Sequence, residues 1–226
     1  MHAFTQELLD ADHQKKPLSS SKAQPQTSAE AEAIQLEFSD ALGGHGGWKM
    51  TPWSSSETML ASPVPKAWIH RSPSALRPPH GARIEVEFML LRDGTDWQVG
   101  LAFEFLRTRL TGVDWTPMSR RADLLAGGGI IWGKTRPLDS LPGGEGQLTL
   151  THSESPPVVV TTKFDKAAIH AASDWLIGHA EARGRPILPG MVVLTSARIG
   201  PLVIAQGSYR ASWPGLDDTA LVILDA

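Results

Sequence analysis

The chain has 226 residues, enough for one large domain or a main domain with a small appendage, and enough to bury a sizeable core. A formal net charge of −3, with the two signs mixed along the chain, leaves no basic stripe for nucleic acid; the absence of cysteine excludes disulfides, thiolate metal sites and cysteine nucleophiles. No apolar run reaches the ~18 residues of a membrane span, and Met1–Glu7 lacks the basic and apolar regions of a secretory signal, so a cytoplasmic protein with no membrane partner is expected.

With 17 Pro and 21 Gly, the composition favours short strands joined by turns over a helical bundle. Residues 3–12 suit a short helix with Phe4, Leu8 and Leu9 on one side. Residues 13–26 are polar and read as loop or linker. Thr27-x-x-Glu30 is a capping box, followed at helical spacing by Ile34, Phe38, Ala41 and Leu42, with Gly43-Gly44 as the stop. Gly46-Gly47-Trp48-Lys49-Met50 is a glycine-rich approach to a lysine with apolar neighbours. By itself it reads as an ordinary surface lysine. Residues 53–82 are rich in Pro and Ser and read as irregular loop.

From residue 83 onward the pattern is mostly β. Candidate strands are 83–91, 98–107, 129–133, 147–151, 157–162, 191–195, 201–206 and 219–224. Asp93-Gly94 and Pro142-Gly143-Gly144 are turn signals. One helix interrupts them: Asp165 is its N-cap, Ala168, Ala172, Trp175, Leu176 and His179 share a face, and Gly184 ends it. Trp115, Trp132 and Trp175 are core candidates.

The stretch with chemistry in it is Arg83-Ile84-Glu85-Val86-Glu87-Phe88. Strand alternation puts Ile84, Val86 and Phe88 on one face and Glu85 and Glu87 on the other. Two carboxylates on one surface repel unless a positive charge lies between them, and a hard divalent ion prefers oxygen ligands. Glu104 follows within the apolar run 100–106, where an acid needs a partner. On pattern alone a solvated strand face, with Arg83 or Arg107 as counter-charges, is the commoner reading. No dinucleotide, P-loop or nucleophile-elbow motif is present, and the eight histidines show no paired ligand spacing.

Five segments in order resemble the hydratase/decarboxylase branch of the fumarylacetoacetate hydrolase superfamily. They are Gly47-Trp48-Lys49; Ile84-Glu85-Val86-Glu87-Phe88; Phe103-Glu104-Phe105-Leu106-Arg107-Thr108-Arg109; Ala172-Ser173-Asp174-Trp175-Leu176; and Leu188-Pro189-Gly190-Met191-Val192-Val193-Leu194-Thr195. The likeness runs from the helix containing Ala33-Ile34-Gln35 to the end of the chain. It implies an α+β fold, a mixed β-roll or distorted barrel. A helical and loop portion (1–82) would precede a β-rich catalytic portion (83–226), or the two would form one integrated domain.

The resemblance also implies that Glu85, Glu87 and Glu104 hold one Mg²⁺ or Mn²⁺ and that Lys49 is the catalytic lysine. Trp48, Leu124, Ala126 and Thr195 would lie along the substrate pocket. The implied activity is that of a metal-dependent lyase hydrating a small 2-oxo or 2-hydroxy-dienoic acid. The alternatives are a 4-oxalocrotonate-type decarboxylase, an acylpyruvate-type hydrolase and a non-catalytic paralogue. A homo-oligomer, dimer or larger, is implied as well. Two departures stand out. The family's Asp-Asn-x-Ser segment is Asp123-Leu124-Leu125-Ala126 here, and Thr51 replaces a glycine after the lysine segment. The expectation is a retained metal site beside a more apolar substrate wall.

Overall fold

The computed structural model describes residues 1–51, 59–78 and 81–224. Two helices open the chain, α1 (Ala3–Gln14) and α2 (Ser28–Ala41). The expected capping box is present: Thr27 Oγ1 accepts from the Glu30 amide at 3.1 Å, and the Glu30 carboxylate accepts from the Thr27 amide at 3.1 Å. Phe4, Leu8, Ile34 and Phe38 pack together with Trp115 and Leu124 in one apolar cluster. Ala41, expected on the buried face, is exposed, because the helix ends there.

Two sheets follow. The larger contains β1 (His45–Thr51), β2 (Leu60–Pro65), β3 (Ile69–Arg71), β5 (Arg83–Asp93), β6 (Asp96–Leu106), β7 (Gly127–Trp132), β8 (Arg136–Pro137) and β11 (Val192–Val203). Its order is β2-β1-β11-β5-β6-β7-β3, with β8 also pairing β6. The smaller sheet orders β10 (Ser155–Phe164), β9 (Gly144–His152), β12 (Gly207–Ser212), β13 (Thr219–Ile223) and β4 (Ser74–Leu76). The main core includes Ile84, Val86 and Phe88 of β5, Leu101 and Phe103 of β6, Leu148 and Leu150 of β9, and Tyr209 and Ala211 of β12. This is the expected α+β fold, and strands from either side of residue 82 share both sheets.

Several expected elements change. Within the stretch read as loop, residues 60–65, 69–71 and 74–76 are strands; 53–58 and 79–80 lie outside the described residues. Pro63 and Pro65 hid β2, yet it is the outermost strand, where a residue without an N–H removes no interior ladder bond. The two strands expected at 191–195 and 201–206 are one strand, β11, continued through register shifts at Ser196 and Gly200, both at positive φ. β12 escaped notice because its small polar residues mask the alternation of Tyr209 and Ala211.

After the short helix α3 (Pro117–Ala122), α4 (Lys166–Glu181) starts at the expected cap, with Asp165 Oδ1 accepting from the Ala168 amide at 3.1 Å. It ends at Ala182, two residues before Gly184. Its buried face is Ile169, Ala172, Ser173, Leu176 and Ala180, rotated from the expected one. Ala168, Trp175 and His179 are half-buried at its edge. Trp115 and Trp132 are buried as expected.

Candidate metal centre

β5 and β6 form a hairpin whose tight end places Asp93 opposite Asp96, with Gly94 at positive φ. The register that follows sets Glu85 directly across from Glu104. Glu87 is two residues along β5, on the same face by alternation. One carboxylate oxygen from each of Glu85, Glu87 and Glu104 lies within 4.8 Å of the others. Among the described residues no other group of three His, Asp or Glu side chains converges in this way.

Lys49 comes from β1, which is separated from β5 by β11. Lys49 pairs with Leu194, while Ala197 pairs with Glu87; Thr195 and Ser196 together stand opposite Phe88 alone, and that one extra residue bulges β11 beside the site. Lys49 Nζ donates to Glu104 Oε1 at 2.6 Å and to the Leu125 carbonyl at 3.1 Å, with only 6% of the residue exposed.

Burial, with Glu104 across the ladder, raises the Glu85 carboxyl to about 7. Glu87 is deeper, and burial followed by the neighbouring Glu104 pushes it well above the ordinary carboxylate range. Lys49 pulls both downward without offsetting the rise. Glu87 Oε2 is buried and has no hydrogen-bond partner among the described residues. An orphaned carboxylate oxygen inside a trio of acids is the donor set a hard divalent ion fits, since such ions take carboxylate oxygens and reverse the local cost of ionisation.

The cleft has a volume of about 190 Å³ and is lined by Lys49, the three glutamates, Thr51, Ser196 and the apolar residues Met50, Leu106, Leu125 and Ala197. That is small for a ligand site and restricts it to a small molecule. Of the four residues expected along the substrate pocket, none lines this cleft. Trp48 is 1% exposed in the main core, edge-on to His45 and His179, because alternation along β1 turns it away from Lys49. Thr195 is fully buried, its hydroxyl donating to the Phe88 carbonyl at 2.6 Å. Leu124 packs with the N-terminal cluster and borders a small cavity behind Lys49 and Glu104. Ala126 belongs to the backbone of the adjoining turn, where its carbonyl accepts from the Arg107 amide at 2.6 Å.

That turn is unusual. Leu124, Leu125 and Ala126 stand consecutively at φ of 49°, 52° and 61° without a glycine among them. It is pinned by Asp123, whose Oδ2 accepts from Thr108 Oγ1 and the Arg109 amide at 2.8 Å each. The result is a main-chain carbonyl, that of Leu125, aimed at the Lys49 ammonium. Sequence reasoning missed Leu106, Leu125, Ser196 and Ala197. Leu106 follows from alternation after Glu104; the other three depend on the left-handed turn and the bulge, which leave no pattern in the sequence.

No protein-family profile and no curated protein matches the sequence. Solved structures do match. 4-Oxalocrotonate decarboxylase from Pseudomonas putida G7, complexed with magnesium and adipate, superposes with a TM-score of 0.79 at 17% identity, covering 98% of this chain and 96% of that one. Its complex with calcium and acetate gives 0.77 at the same identity and coverage. Fumarylpyruvate hydrolase from Pseudomonas aeruginosa, in complex with Mn²⁺ and pyruvate, gives 0.54 at 13% identity over 75% of this chain and 80% of that one. At these identities the likeness is one of fold.

Proposed function

The chain has the fold of the fumarylacetoacetate hydrolase superfamily, and from that premise we propose a divalent-metal-dependent lyase acting on a small 2-oxo acid. The observation that carries this reading is the trio of carboxylates within 4.8 Å, with the Lys49 ammonium 2.6 Å from Glu104, in an otherwise largely apolar cleft. Glu85, Glu87 and Glu104 would hold Mg²⁺ or Mn²⁺. The ions in the similar solved structures support that choice. When bound, the ion supplies Lewis-acid stabilisation for negative charge growing on the 2-oxygen of the acid.

The chain's own residues do the rest. Leu106, Leu125 and Ala197 give the cleft an apolar wall that would exclude water from part of a bound substrate. An apolar wall favours a step in which a carboxylate loses its charge. Lys49 is the single cationic side chain among the described residues lining the cleft, and it is fixed by Glu104 and the Leu125 carbonyl. It can place positive charge near the substrate and deliver a proton to carbon.

These features support decarboxylation of an unsaturated 2-oxo diacid best. The C–C bond to the distal carboxylate breaks, its electron pair moves toward the 2-oxygen, CO₂ leaves, and a proton returns to carbon. Hydration of a 2-hydroxy-dienoic acid is the second reading, and Lys49 as a proton carrier supports it. It further requires a water to be activated, and the described cleft residues offer no acid or base beyond Lys49 and the three glutamates. The resemblance also carries the proposals of a homo-oligomer and a cytoplasmic setting.

The test is an assay with an unsaturated 2-oxo diacid and with a 2-hydroxy-dienoic acid, with and without Mg²⁺, following CO₂ release and loss of dienol absorbance. CO₂ release that requires Mg²⁺ is expected. Consumption of the dienol alone would establish the hydratase. Metal binding with turnover of neither acid would leave a non-catalytic relative.

A further inference from the structure

β11 bends where it passes the metal centre. Between Leu194, paired with Lys49 on one side and Met89 on the other, and Ala197, paired with Glu87, Thr195 and Ser196 interrupt the ladder. Thr195 is accounted for by its buried bond to Phe88. Ser196 is not. Its backbone is left-handed, at φ 78°, a conformation that a side chain resists and glycine adopts freely. Its side chain lines the cleft beside Glu85 and Glu87, and its hydroxyl has no hydrogen-bond partner among the described residues.

The bulge is held firmly from behind. Arg198 Nη1 donates to the Ser196 carbonyl at 2.8 Å, with the carbonyls of Ala197 and Thr195 at 3.4 and 3.5 Å. The backbone of Ser196, and with it the direction of its Cα–Cβ bond, is therefore set before any ligand arrives. Glycine would fill the bulge with less strain, so the hydroxyl has no structural task that justifies it. Strained residues of this kind collect where a ligand is held.

We propose that Ser196 is a substrate-binding residue whose hydroxyl donates a hydrogen bond to the carboxylate of the bound 2-oxo acid. This rests on the proposed reading of the site as one for 2-oxo acids. Among the described residues lining the cleft, only Thr51 besides Ser196 carries a hydroxyl or amide side chain, and Lys49 is already engaged by Glu104 and Leu125. A carboxylate arriving beside Glu85 and Glu87 would find the Ser196 hydroxyl available as a donor.

The experiment uses two variants and a non-reacting probe. Ser196→Ala keeps the left-handed backbone and removes only the hydroxyl; Ser196→Gly removes both the hydroxyl and the steric conflict. Calorimetry measures the affinity of the full chain first for Mg²⁺, then for pyruvate with Mg²⁺ saturating, and melting temperatures are recorded alongside. Both variants should bind Mg²⁺ as the parent does and pyruvate about tenfold more weakly, as expected for losing a hydrogen bond to a charged group. The Gly variant should melt no lower than the parent. A Ser196→Ala variant that binds pyruvate with parental affinity overturns the assignment and leaves the 2-oxo acid reading standing. A parent chain that binds Mg²⁺ but not pyruvate overturns both.

Discussion

Lys49 is the residue whose role the geometry constrains most. Its ammonium is held between a carboxylate and a carbonyl at the mouth of an acidic trio. Lys49→Met keeps much of the volume and removes the charge. Turnover is expected to fall by roughly 10²-fold or more, the scale of losing a positioned acid or base. Mg²⁺ affinity, measured by titration, should stay level or rise slightly as like-charge repulsion disappears. Lys49→Arg should rescue only in part, because a guanidinium stays protonated and has a different shape. Parental turnover in the Met variant would remove the lysine from the mechanism. The glutamates give a pH signature. In the folded chain without metal Glu85 keeps its proton up to about pH 7, against 4.5 for the ordinary side chain. Between those values the folded state binds more protons than the unfolded one, so its contribution to stability is complete below 4.5 and is lost as pH rises to about 7. Mg²⁺ needs the ionised carboxylates, so its effect runs the other way. Thermal melts should show a larger Mg²⁺-induced rise at pH 8 than at pH 5.5. An equal rise at both would argue that these acids are not the ligands.

At the scale of elements, the site depends on how closely β1 approaches β11. Gly47 pairs with Val192, and a Cβ there would collide with the Val192 carbonyl and with its Cγ2 at 2.8 Å. Gly47→Ala therefore forces apart the parallel pairing that delivers Lys49. A loss of about 1–3 kcal/mol is expected, by the usual cost of overpacking, and a denaturant midpoint with unchanged slope would measure it. Turnover should fall with it, since Lys49 is two residues away. Gly178, on the solvent side of α4 with open space around its Cα, is the control: Gly178→Ala should be neutral or stabilising. The left-handed turn at 124–126 belongs to the same scale. It replaces side-chain polarity with a backbone carbonyl, which is how a segment reading Leu-Leu-Ala still offers a hydrogen bond to Lys49.

At the scale of the molecule, Arg109 joins the helical opening to the sheet. It is 1% exposed; its Nε donates to Asp12 of α1 at 2.8 Å, and its Nη1 to the Gly127 carbonyl at 2.9 Å and to Asp123 at 3.2 Å. The guanidinium also stacks near Phe38 of α2 and Trp68. Burial already pushes the Asp123 carboxyl upward against the pull of Arg109. Arg109→Met would strand that acid without a cation, and a loss of about 3–5 kcal/mol in equilibrium unfolding is expected. Arg109→Met paired with Asp123→Asn should recover part of it. If the single variant were as stable as the parent, the network would be incidental to the joining of α1, α2 and the sheet.

What the sequence determined by itself is what depends on neighbours along the chain. The capping box at Thr27 and Glu30, the Asp93-Gly94 turn, and the alternation that sets Glu85 and Glu87 against Ile84, Val86 and Phe88 are all local. Local backbone geometry fixes them wherever the segment ends up. The order of five short segments added Glu104 and Lys49, which alternation alone could not link to the pair. Only the tertiary structure decided the rest. Trp48 faces the core and Lys49 the acids because β1 happens to lie beside β11. Ser196 and Ala197, though consecutive, both line the cleft because a bulge in β11 breaks the period there. Leu125 meets Lys49 through its carbonyl, a group every residue carries and no side-chain pattern reveals. Hydrogen-bond register and bulges are set by strands far apart in sequence, so the inner surface of the site became legible only once those strands were paired.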